Sequence, residues 1–98
     1  MIKVIAGSRR GKTLRTLEGL DTRPTANRVR EALFNIVQFD LPGAVVLDLF
    51  AGSGALAIES LSRGARRVIL CDASRQASDI ISANLKSCGF EAELFRSD

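Results

Sequence analysis

Asp48, Gly52, Gly54 and Asp72 carry the clearest chemistry in this 98-residue chain. Two glycines separated by one residue let backbone approach a ligand with no Cβ in the way. An acid at the end of the next apolar segment can accept hydrogen bonds from both hydroxyls of a ribose. Asp72 lies 20 residues after Gly52, the spacing for that contact. The set points to an adenosine-containing cofactor. Gly52-x-Gly54-x-x-Ala57 also fits the dinucleotide pattern, so an NAD(P)-dependent oxidoreductase stands as an alternative. Asp48 opposes that alternative. A carboxylate four positions before Gly52 repels a pyrophosphate, whereas it attracts a sulfonium and a free ammonium. The turn also lies midway along the chain, while dinucleotide folds commonly place it near the start. Both features favour S-adenosylmethionine, which is cationic and carries no phosphate.

Other chemistries are excluded by composition. The chain has no histidine, so Ser-His-Asp and Cys-His arrangements and His-based metal sites are absent. Its two cysteines, Cys71 and Cys88, form no C-x-x-C pair. They read as reduced thiols of a cytoplasmic protein. The net charge of +3 hides an asymmetry. Residues 1–30 hold eight basic and two acidic side chains, a net of +6, so the remainder carries −3. A basic arm on a slightly acidic body suits a polyanion such as nucleic acid. A non-catalytic RNA-binding module is therefore a third reading, and a merely solvated basic surface stands beside it.

The elements that must position these residues follow from apolar patterning. Apolar runs such as Ala44–Leu47 are too short to span a bilayer, and the N-terminus lacks the apolar core of a signal peptide. Residues 2–5 and 12–17 flank a basic, glycine-bounded loop and predict a hairpin whose register the pattern leaves open. Arg23-Pro24-Thr25 breaks the chain, and Thr25 can cap a helix reaching about Val37, with Val29, Leu33, Ile36 and Val37 on one face. Strands are predicted over 44–50, 67–71 and 91–95, the last nearer an edge. Helices are predicted over 55–63 and 74–87, closed by Gly64 and Gly89. The order strand, helix, strand, helix, strand predicts an α/β fold, one half of a doubly wound parallel sheet. Ligands of such sheets bind beyond the carboxyl ends of the strands, where Asp48, Gly52, Gly54, Asp72 and Asp98 fall.

Asp48-Leu49-Phe50-Ala51-Gly52-Ser53-Gly54 resembles the cofactor loop of class I methyltransferases. The wider string is more specific: Arg23-Pro24-Thr25, then Val29 to Asn35, the cofactor loop, and Glu59-Ser60-Leu61-Ser62-Arg63-Gly64-Ala65. It is similar to the bacterial 16S rRNA guanine-N2 methyltransferase family over nearly the whole chain, as is the basic stretch from Gly7 to Lys12.

The resemblance implies a Rossmann-like class I fold in incomplete form. Three parallel strands with their helices follow an N-terminal hairpin and helix, with residues 1–20 as the hairpin and 21–98 as the first half of the cofactor domain. It implies that Gly52 and Gly54 pass close to S-adenosylmethionine and that Asp48 lies near its methionine end. Phe50 is either cofactor wall or core. Asp72 takes the ribose, where the family often has Glu, and Asp98 contacts the adenine amino group. Arg9, Arg10 and Lys12 would hold phosphates of 16S rRNA, free or in the assembling small ribosomal subunit. The family's catalytic Asn/Asp-Pro-Pro-Tyr/Phe motif does not occur, the only prolines being Pro24 and Pro42. The chain is thus expected to be inactive alone, with no catalytic residue of its own, and to self-associate through an uncovered sheet edge.

Overall fold

The computed structural model describes residues 2–16, 24–49, 52–72 and 75–96, with residues 24–27, 72 and 96 described by their backbone alone. Strands β1 (Ile2–Lys3) and β2 (Thr13–Leu14) form an antiparallel hairpin. Its register, open in the sequence, pairs Ile2 with Leu14 and Lys3 with Thr13. Ile2, Val4 and Leu14 point into the core, and this inward set selects the register over a one-residue slip.

Helix α1 (Pro24–Val37) begins at the proline, one residue before the predicted cap. Proline suits the first helical position, where its missing N–H would have no partner. A βαβαβ unit follows: β3 (Val45–Asp48), α2 (Ala55–Ser62), β4 (Arg67–Asp72), α3 (Arg75–Cys88) and β5 (Glu93–Arg96). The three strands are parallel in the order β3-β4-β5, so β5 is an edge strand as predicted. This is the βαβαβ half of a doubly wound, Rossmann-like parallel sheet that the sequence predicts.

One face of the sheet is covered. Val68 and Leu70 of β4 are fully buried with Ile58 of α2 and Ile81 of α3, and Val46 and Leu94 pack against them. Residues in parallel register share a face, so Val45 and Leu47 lie opposite Val46. They stay exposed, Leu47 at 59%. Across that open face Arg67 pairs with Glu93.

Most of the predicted apolar stripe of α1 lies bare. Val29, Leu33 and Ile36 are exposed and Val37 is half-buried, while Phe34, off the stripe, is buried. The Arg63 guanidinium lies 4.9 Å from the centre of the Phe34 ring and ties α1 to α2. An apolar groove of about 610 Å³ runs along the outer edge of β3, which no other described strand pairs, between Leu33, Phe34 and Val37 of α1 and Val45, Leu47 and Asp48.

Candidate functional site

The chain reverses direction between β3 and α2, and that reversal requires glycine. Gly52 has φ +55 and Gly54 has φ +80, values that side-chain-bearing residues rarely adopt. Gly54 is the N-cap of α2 and supplies no capping side chain. A Cβ on Gly54 would meet Ile81 at 3.3 Å, so that glycine also admits α3. Among the described residues, a Cβ on Gly52 would meet nothing within 4 Å, which leaves room there for a close ligand approach.

Asp48 is the last residue of β3 and is half-buried. It pairs in register with Leu70, on the helix-covered face of the sheet. Asp72 is the last residue of β4 and pairs in register with Arg96 at the end of β5. The structure therefore brings Asp48, Gly52, Gly54 and the Asp72 backbone to one carboxyl edge of a parallel sheet. Phe50 and Asp98 lie outside the described residues, as does the Asp72 side chain.

A polar clamp seats the hairpin on α2 and α3. Glu59 is fully buried and accepts the backbone N–H groups of Ile5 at 2.8 Å and Ala6 at 3.1 Å. Its carboxylate also pairs with Arg63 at 2.8 Å. Ser62 donates its hydroxyl to the Ala6 carbonyl at 2.7 Å and accepts the Arg9 N–H at 2.9 Å. Asn84, on α3, bonds the backbone of both Arg15 and Ser53.

The three basic candidates are placed differently. Arg10 and Lys12 are exposed on the loop. The Arg9 guanidinium donates through Nε to the Cys88 carbonyl and lies 4.7 Å from the Phe90 ring centre. Arg9 thus ties the loop to the C-terminus of α3, where a cation also meets the negative end of the helix dipole. Burial pushes the Cys88 thiol up from its usual value, while the positive charges of Lys12 and Arg9 pull it down by less.

No sequence motif singles out Glu59, Ser62 or Asn84 as a site residue. A signal for them exists. Ala55, Ile58, Glu59 and Ser62 recur at helical spacing, as do Ala77, Ile81, Asn84, Leu85 and Cys88, and all are buried. A polar residue inside an apolar stripe marks a buried group that needs partners.

The family described as Conserved hypothetical protein 95 matches residues 2–98. The chain is 40% identical over 99 residues to the Bacillus subtilis protein YlbH, covering 99% of this chain and 54% of that one. It is 43% identical over 84 residues to an Escherichia coli protein named Ribosomal RNA small subunit methyltransferase D, covering 86% of this chain and 42% of that one. The solved structure of Escherichia coli yhhF overlays with a TM-score of 0.89 at 41% identity, over 99% of this chain and 53% of that one. The chain spans about half the length of the relatives it matches.

Proposed function

The chain belongs to the Conserved hypothetical protein 95 family, and from that membership we propose that it forms the cofactor-binding portion of an S-adenosylmethionine-dependent methyltransferase acting on the exocyclic N2 of a guanine in 16S rRNA. The observation that carries the reading is the pairing of Asp48 at the β3 terminus with an open, positive-φ Gly52 turn. Asp48 would face the cationic methionine end of the cofactor, Gly52 and Gly54 would let it approach, and Asp72 would take its ribose. When bound, the cofactor supplies an electrophilic methyl group. The protein's share is to hold that group and an accessible base in line, at a separation of about 3–3.5 Å.

Arg10 and Lys12 would take rRNA phosphates. Arg9 holds the loop that presents them, and only its remaining N–H groups would reach a phosphate. The substrate is 16S rRNA, free or within the assembling small subunit, in the cytoplasm. Among the described residues, no helix is long and apolar enough to cross a membrane. The 98 residues hold no Asn/Asp-Pro-Pro-Tyr/Phe motif, and on this reading they would bind cofactor alone without turnover. The bare β3 edge and α1 stripe then drive association of the chain with itself.

Titration with S-adenosylhomocysteine tests the reading. Saturable binding that Asp48→Ala weakens supports it, and binding that Asp48→Ala leaves untouched contradicts the assigned site. Methyl transfer to rRNA by these residues alone would refute the expected inactivity.

A further inference from the structure

Asn84 sits on the buried face of α3 with 2% of its surface exposed. Its Oδ1 accepts the Arg15 N–H at 2.7 Å. Its Nδ2 donates to the Arg15 carbonyl at 2.9 Å and to the Ser53 carbonyl at 2.9 Å. One side chain thus closes three hydrogen bonds on two segments far apart in sequence. The first is the segment that follows β2. The second is the turn that holds Gly52 and Gly54.

A buried amide is costly without partners, and a leucine at this position would need none. What the amide adds is direction. The turn depends on such direction. Ser53 is itself buried, and the next residue, Gly54, caps α2 without a side-chain bond. The Ser53 carbonyl is therefore aimed by Asn84, and the other two bonds fix the Asn84 amide plane against Arg15.

We infer that Asn84 is a positioning residue for the glycine turn and uses the basic hairpin as its second anchor, so that hairpin docking and turn geometry are set together. The inference rests on the reading above only for the identity of the ligand at the turn. Glu59 and Ser62 dock the same hairpin from α2 but hold residues 5–9 and not the turn. They separate hairpin docking in general from the Asn84 connection.

Amide hydrogen exchange on the full 98-residue chain is the test. The Ile58 N–H donates to the Gly54 carbonyl at 2.9 Å and reports on the turn. In Asn84→Ala, exchange at Arg15 and Ile58 quickens at least about tenfold, while exchange in β4 stays within about twofold. In Ser62→Ala, exchange at Arg9 quickens and Ile58 stays within about twofold. Arg15→Pro removes the donor to Asn84 from an exposed residue and leaves the core side chains unchanged, so it decides the matter if Asn84→Ala does not fold. Its Ile58 amide also exchanges faster.

Unchanged Ile58 exchange in Arg15→Pro overturns the inference. So does equal acceleration through β4, which would mark general loosening. S-adenosylhomocysteine affinity gives a second readout, falling about tenfold or more in Arg15→Pro and staying within about twofold in Ser62→Ala. Equal loss in both variants also overturns the inference. An unsubstituted chain that binds no S-adenosylhomocysteine refutes the cofactor reading instead, and the exchange pattern still decides the role of Asn84.

Discussion

The Glu59 carboxylate accepts the backbone N–H of Ile5 at 2.8 Å, across 54 residues of chain, with no part of Glu59 reaching solvent. A charged group held this deep is tolerable because Ile5, Ala6 and Arg63 together satisfy it. The hairpin is seated by directional bonds as well as by the apolar contacts of Ile2, Val4 and Leu14.

Glu59→Ala leaves two backbone donors and one guanidinium without their acceptor. The expected cost is about 2–4 kcal/mol in urea unfolding, with Glu59→Gln losing about half as much because one oxygen remains. A loss no larger than that of an exposed-site substitution would show that the clamp contributes little.

At Gly7 the hairpin lies tight against the end of α2. A Cβ there would stand 1.9 Å from the Ser62 backbone carbonyl, at φ +88. Backbone cannot yield by that distance, so Gly7→Ala displaces the hairpin. Trypsin cleavage at Arg9 and Arg10 then accelerates, while sites in α3 keep their protection. Unchanged cleavage at Arg9 and Arg10 would contradict the close seating.

Cys88 makes stability depend on alkaline pH. Burial raises its thiol above the usual 9.0, against the lowering by Lys12 and Arg9. The folded chain therefore holds that proton more tightly than the unfolded chain does. The associated stability is complete below 9.0 and is lost as pH rises through the folded value. Cys88→Ala removes this slope, which paired denaturation curves on either side of pH 9.0 would reveal. Native Cys88 should also alkylate more slowly than the half-buried Cys71.

The bare edge of β3 gives a prediction about association. Leu47→Lys places a charge on the open face beside an unpaired strand edge, where lysine blocks edge pairing. Sedimentation velocity should show the substituted chain shifted toward monomer. An unsubstituted chain that stays monomeric at high concentration would remove the basis for that expectation.

The βαβαβ order was legible because each element carries its own period and is closed by glycine, as at Gly64 and Gly89. The Asp48 to Gly54 turn was legible because positive φ needs glycine and the pattern is local. Burial on α1 was not. Its stripe of Val29, Leu33 and Ile36 reads as a core face, yet a pattern shows only what a helix could bury. Whether a partner covers it is a tertiary fact, and here Phe34, off that stripe, is the buried apolar residue among those of α1 whose side chains are described. The roles of Arg9, Glu59 and Asn84 were hidden for a related reason. Each acts through bonds to backbone dozens of residues away, and backbone leaves no trace in residue identity.

Isothermal titration of the chain with S-adenosylmethionine and with NAD, repeated on Asp48→Asn, measures the assigned preference directly. The neutral amide keeps the shape of the carboxylate and removes its charge. The unsubstituted chain is expected to bind S-adenosylmethionine and not NAD, and Asp48→Asn to lose at least about tenfold in affinity for it. Saturable binding of NAD by the unsubstituted chain, with S-adenosylmethionine failing to bind, would contradict the account.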